Sequence, residues 1–118
     1  MIKIVLIDDD PISTFVTESL IAKYIKQPCE IFKFERAKEA LKKIYLINPN
    51  YLFLDLNMPE MNGWDFLERF AFDKTKAEIY ILSSSVDKRD INRANTYAQV
   101  KKYLSKPLIS QSINHIFN

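Results

Sequence analysis

Six polar side chains stand at or just beyond the ends of apolar runs, and their types describe a site for a divalent cation and a phosphoryl group. Asp8, Asp9 and Asp10 follow Ile2 to Ile7, Asp55 follows Tyr51 to Leu54, Ser83 follows Ile79 to Leu82, and Lys106 comes shortly after Tyr103-Leu104. In a parallel sheet every strand points the same way, so all C-terminal ends share one edge, and ligands bind in the crevice outside it. Residues distant in sequence would therefore meet. Two carboxylates about 4 Å apart repel by about 4 kcal/mol at an effective dielectric near 20, roughly three pK units. Clustered acids thus hold either a proton or a cation. With oxygen ligands only, Mg²⁺ is the natural choice.

Each residue also has a plainer role to be weighed. An aspartate ahead of Pro11 can cap the first turn of a helix, and Asp10 is assigned that role. One cap does not need three acids in a row, so Asp8 and Asp9 are assigned to the site. Asp55 lies among apolar neighbours, where an unpaired carboxylate is costly. Mg²⁺ and Lys106 would stabilise its charge and leave it a nucleophile able to take a phosphoryl group as an acyl phosphate. Lys106 could be a surface lysine, but Pro107 follows it, and an X-Pro bond at a strand end can be cis. Ser83 opens Ser83-Ser84-Ser85. That segment is either a polar loop or a donor to phosphoryl oxygens, with small Ser84 letting a backbone N–H approach.

Alternating strands and helices are needed to position these groups. Lys3 to Ile7 suits a strand buried on both faces. Pro11 to Lys26 is expected to be an amphipathic helix whose stripe is Ile12, Val16, Leu20 and Tyr24, with Phe15 beside it. Glu30 to Glu35 alternates as an edge strand does, and Ala37, Ala40, Leu41 and Ile44 mark a second helix ended by Asn48-Pro49. Tyr51 to Leu56 is a third strand, and Trp64, Phe66, Leu67 and Phe70 start a third helix after the loop Met58 to Gly63. Ile79 to Leu82 and Val100 to Leu104 are further strands. Asp87 to Gln99 and Ile109 to Phe117 complete the helices. Gly63 is the sole glycine. It is the one residue free to take positive φ without strain, and its loop should bring backbone close to Asp55. Five strand-helix units predict an α/β fold with one doubly wound parallel sheet and helices on both faces.

At 118 residues the chain is expected to be a single domain, 1–118, without a separate output module. Hydrophobic content of 47% and charged content of 27% exclude a disordered or membrane-spanning composition, so a cytoplasmic protein is expected. The net charge of +2 comes from 17 basic and 15 acidic residues spread along the chain, which names no partner and forms no nucleic-acid arm. Cys29 and His115 are the only residues of their types. That excludes an internal disulfide and thiolate or imidazole metal clusters. Cys29 is expected to pack as a small apolar residue and His115 to lie on a helix surface.

In order and spacing, Asp8-Asp9, Asp55 with Met58-Pro59 and Gly63 after it, Ser83 and Lys106-Pro107 resemble the motif of CheY-like response-regulator receiver domains. The resemblance spans the whole chain. It implies a flavodoxin-like three-layer sandwich with strand order 2-1-3-4-5. It makes Asp55 the phosphoacceptor, with Asp9, Asp55 and the Asn57 carbonyl on Mg²⁺ and Asp8 acting mainly through water. Lys106 and Ser83 would contact the phosphoryl group, and Ser83 with Tyr103 would form the switch. The donor would be a phosphohistidine on a sensor histidine kinase or phosphotransfer protein. The domain would catalyse only its own phosphorylation and dephosphorylation. Output would pass to a downstream protein target through the face of the fourth helix, fifth strand and fifth helix, without nucleic-acid or membrane contact. Two features depart from the pattern: Tyr97-Ala98-Gln99-Val100 replaces a frequent glycine before the fifth strand, and the final helix is short. Ser85 lies where family members vary and phosphoryl lifetime is tuned.

Three rival readings fit parts of the same pattern. A haloacid-dehalogenase-like phosphatase needs a second acid where Asn57 stands, and an FMN binder wants donors where three aspartates stand. The third is a receiver-like interaction module that works without phosphorylation, against which the intact acid cluster, Ser83 and Lys106 count. Ile12, Phe15 and Leu108 are candidate partner contacts beside the site.

Overall fold

Apolar runs without alternation form the middle of the sheet, and alternating ones form its edge. The computed structural model describes all 118 residues. Its elements are β1 (Ile2–Ile7), α1 (Pro11–Tyr24), β2 (Cys29–Phe34), α2 (Ala37–Ile47), β3 (Tyr51–Leu54), α3 (Gly63–Arg69), a 3-10 turn (Phe72–Lys74), β4 (Glu78–Ser83), α4 (Lys88–Ala94), β5 (Val100–Ser105) and α5 (Ser110–Phe117). All strands are parallel, in the order β2-β1-β3-β4-β5. The three inner strands β1, β3 and β4 are covered on both faces, which is why their sequences are continuously apolar.

Side chains alternate across each strand and so divide between two cores. Val5, Ile7, Leu52, Leu54, Ile79 and Ile81 face α2, α3 and α4 through Ala40, Ile44, Phe66, Leu67 and Ala94. Ile4, Leu6, Phe53, Tyr80, Leu82 and Leu104 face α1 and α5 through Ile21, Ile113 and Phe117. This is the doubly wound α/β sandwich expected from the sequence. No helix is long and apolar enough to cross a membrane.

Several local expectations need correction. The first helix ends at Tyr24, not Lys26, and its expected stripe is not the buried one: Thr14, Thr17 and Ile21 face inward, while Ile12 is 75% and Phe15 70% exposed. Each four-residue step turns about 40° past a full turn, so an i, i+4 stripe winds off the buried face. Leu20 and Tyr24, further along, do reach the second core. Helix α4 stops at Ala94 instead of reaching Gln99. There the chain tightens into three-residue turns, with N–H groups of Thr96, Tyr97 and Val100 donating to the carbonyls of Arg93, Ala94 and Tyr97. This builds the connection to β5 without glycine. Leu108 is 1% exposed and belongs to the core, so it is not a partner contact. Strand β3 ends at Leu54, two residues early.

Gly63 does not use positive φ; the residues that do are Asn48 and Glu60. The glycine is required for close approach, since a Cβ there would lie 2.6 Å from the Asp55 carbonyl oxygen and 2.9 Å from Leu56 Cα. Its N–H donates to the Leu56 carbonyl at 3.0 Å. The loop is further held by a capping box between Asn62 and Asp65.

Candidate functional site

Hydrogen bonds just past the strand ends set the backbone of the site. The Asp8 N–H donates to the Phe34 carbonyl at 3.0 Å, the Asp55 N–H to Ile7 at 2.9 Å, and the Lys106 N–H to Ser83 at 2.9 Å. Each functional residue is therefore tied to the neighbouring strand end. The crevice lies where β1 is flanked by β2 on one side and β3 on the other, the point at which the strand order reverses.

Asp8 and Asp55 are buried, 7% and 6% exposed, and Asp9 sits exposed at the rim. Carboxylate oxygens of all three lie within 4.8 Å of one another. The Lys106 ammonium donates to Asp8 Oδ2 at 2.8 Å and lies 3.4 Å from Asp55 Oδ2. Lys106 thus reaches Asp55 as its expected partner, but its shorter contact is to Asp8. The Lys106–Pro107 peptide bond is cis. Asp10 caps α1 as expected, its carboxylate accepting from the Ile12 N–H at 3.0 Å, while its own N–H donates to Asp8 Oδ1 at 2.9 Å.

The two buried carboxylates are held in opposite directions. Burial pushes Asp8 upward, but the Lys106 ammonium, the Ser13 hydroxyl and the Asp10 N–H outweigh it and leave Asp8 below the ordinary carboxylate value. Burial also pushes Asp55 upward, and there the Asp8 charge adds to it, so that Lys106 and the Asn57 N–H do not restore the ordinary value. Burial lowers the Lys106 ammonium, but the two carboxylates reverse this and raise it. Asp55 is thus an acid whose charge is under-compensated by the protein alone. The donor set fits a hard divalent cation, being entirely oxygen and carrying more negative charge than Lys106 balances. Asn57, two residues past Asp55, is exposed at the same opening.

Ser83 is fully buried, and its Oγ accepts from the Ser85 N–H at 3.1 Å. Tyr103 is half-buried, and its hydroxyl donates to the Ser85 carbonyl at 2.8 Å. The Ser85 hydroxyl donates to Asp90 Oδ2 in α4 at 2.8 Å. Ser85 therefore links Ser83, Tyr103 and α4, a connection the sequence reading did not contain. Ser13, whose hydroxyl helps hold Asp8, was missed too; its place in the first turn of the helix following Asp8 was the available signal.

Geometry and topology together define a class: a doubly wound α/β domain with an acidic crevice, Asp8, Asp9 and Asp55 beside Lys106, at the switch point of its sheet. The family model for the response regulator receiver domain matches residues 4–118, and the chain belongs to that family. A two-component response regulator from Cytophaga hutchinsonii is 31% identical in its crystal structure, which covers 98% of this chain and 93% of its own, with a TM-score of 0.86. A protein-glutamate methylesterase/protein-glutamine glutaminase from Bacillus subtilis is 34% identical over 75% of this chain but only 24% of its own length. The chain spans less than half the length of the curated relatives it matches. The Mn(2+)-bound form of response regulator Rcp1 shares the fold, at 19% identity over 98% of this chain and 88% of that one, with a TM-score of 0.76.

Proposed function

We propose that Asp55 accepts a phosphoryl group from a phosphohistidine of a sensor histidine kinase or histidine phosphotransfer protein, in the cytoplasm, and that the phosphorylated domain changes its contact with a downstream protein. The observation that carries this reading is the convergence of the Asp8, Asp9 and Asp55 carboxylates within 4.8 Å beside the Lys106 ammonium. An Asp55 oxygen forms the new P–O bond as the donor P–N bond breaks and its electron pair returns to the imidazole. Asp8, Asp9, Asp55 and the Asn57 carbonyl would hold Mg²⁺, which supplies charge neutralisation at the transferring oxygens. Lys106, already 3.4 Å from Asp55, is placed to meet a phosphoryl oxygen.

The switch follows from the hydrogen bonds around Ser83. Its hydroxyl is the group on β4 able to donate to a phosphoryl oxygen. Turning to do so gives up the bond from the Ser85 N–H, which loosens the segment that holds both Tyr103 and Asp90. Phosphorylation adds about −1.5 to −2 charges to drive that turn. Partner binding then responds through the face of α4, β5 and α5 as a population shift.

Intact-protein mass after incubation with Mg²⁺ and acetyl phosphate tests the reading. A gain of one phosphoryl group in wild type, lost in Asp55→Asn and without Mg²⁺, is expected. Wild type that binds Mg²⁺ yet gains no mass, even when the reaction is quenched rapidly in acid, would favour the phosphorylation-independent module.

A further inference from the structure

The bases are spread along the chain, but the acids are not. All 15 acidic residues lie within residues 1–90, and residues 91–118 contain none, where the chain's average acid frequency would place three or four. Lys106 turns into the site, while Arg93, Lys101, Lys102 and His115 stay exposed on α4, β5 and α5. A register shift opposite Ile79 and Tyr80 makes Lys101 an extra residue in β5, so that two consecutive lysines both reach solvent instead of alternating inward.

β5 is the outermost strand and pairs only with β4, leaving its outer row of backbone N–H and C=O groups without a strand partner. Beside that edge runs a groove of about 320 Å³ lined by Lys102, Leu104, Gln111, Ser112, His115 and Ile116. It offers apolar floor between basic and polar walls. We propose that this edge and groove dock an extended acidic segment of a partner protein by strand addition, with its carboxylates toward Lys101, Lys102 and His115 and its apolar side chains over Leu104 and Ile116. The proposal rests on reading this face as the output surface and adds the chemistry of what binds there.

Two other occupants fit less well. A second copy meeting it through the same face would bring no uncommitted acid, because Asp87 at the start of α4 and Asp90 within it, the acids nearest that face in sequence, are already engaged by Arg89 and Ser85, each at 2.8 Å. Nucleic acid would use charges but neither the apolar floor nor the strand edge.

Selection of short random peptides by display, on wild type with and without acetyl phosphate and Mg²⁺ and on K101E/K102E, tests the proposal. Peptides enriched on wild type are expected to be acid-rich with apolar residues at alternate positions, and to lose at least about tenfold in affinity on K101E/K102E. K101Q/K102Q is expected to be intermediate, and unchanged thermal melts establish that both variants fold. Binders without acidic bias, or indifferent to K101E/K102E, overturn it. So does saturable binding of a short DNA duplex at physiological salt that K101E/K102E removes, or dimerisation seen by sedimentation that the same change abolishes. Acidic selection unaffected by phosphorylation upholds the docking site and removes its role as regulated output. Mass gain at Asp55 without acidic selection overturns the docking site and leaves the phosphorylation reading standing.

Discussion

Two aspartates in one crevice respond to pH in opposite senses. Asp8 sits below its ordinary value because Lys106, Ser13 and Asp10 outweigh its burial. Its stabilising contribution is therefore present above the unfolded value of about 3.9 and is lost as pH falls through the lower folded value. Asp55 sits above its ordinary value through burial and the Asp8 charge, so its carboxylate costs stability at neutral pH and the cost is relieved as pH falls below the folded value. In chelator at pH 7, Asp55→Asn should melt a few degrees above wild type, about 4 °C for each ~1 kcal/mol at this size, and the gap should close on acidification. An equal or lower melting temperature across the titration would refute this account of Asp55. Asp8→Asn should instead destabilise by about 1–2 kcal/mol at neutral pH, less than for a buried charge stripped of every partner, because Asp55 remains 3.4 Å from Lys106. Gly63→Ala is expected to lose about 3 kcal/mol in urea unfolding and to slow labelling by acetyl phosphate. Its Cβ would press on the Asp55 carbonyl, which is backbone and can yield only by moving Asp55 itself.

At the scale of elements, α4 is the short helix that the proposed switch would move, and it is held at both ends. Ser85 and Asp90 hold its first turn. Near its other end Arg93 lies 4.6 Å over the Trp64 ring, Trp64 stacks on Tyr97 at 6.0 Å, and the Tyr97 hydroxyl donates to Glu68 at 2.6 Å. The first tether connects to Ser83 and the second does not. Ser85→Ala should therefore raise amide exchange in the first turn of α4, while amides around Ala94 exchange as in wild type; uniform loosening of the helix would contradict two separate tethers. Trp64→Ala should cost about 3 kcal/mol, and a double-mutant cycle with Arg93→Ala should return a coupling of about 0.5–1 kcal/mol for the exposed cation–π contact.

For the whole molecule, a cation held by the acid cluster would be linked to folding, because the cluster exists only when β1 and β3 are paired. Melting temperature should rise with the logarithm of Mg²⁺ concentration once the site saturates, about 1.4 kcal/mol per decade, and Asp55→Asn should flatten that slope. A wild-type melt indifferent to millimolar Mg²⁺ would remove the metal from the site. The exposed Ile12 and Phe15 on α1 stand beside the crevice, where a large donor protein would rest and a small phosphodonor would not. Phe15→Asp should accordingly slow transfer from a phosphorylated histidine protein at least about tenfold while leaving acetyl phosphate labelling unchanged.

Sequence alone determined the element order, the parallel sheet and the residues of the acid crevice. Short continuous apolar runs alternating with helical segments fit strands covered on both faces of a parallel sheet, and polar residues at the ends of such strands gather at one edge. Asp8, Asp9, Asp55 and Lys106 were legible for that reason. Tertiary structure decided what depends on neighbours distant in sequence. Which face of α1 is buried follows from how the helix lies against the sheet, so Thr14 and Thr17 face inward where Ile12 and Phe15 were expected. Leu108 was drawn into the core by α5, and Gly63 matters because Asp55 and Leu56 pass beneath it. Lys106 chose Asp8 over Asp55 by a difference of 0.6 Å that only the relative placement of β1, β3 and β5 sets. The Ser85 links to Ser83, Tyr103 and Asp90 likewise depend on where β5 and α4 meet the end of β4, a relation that no local spacing encodes.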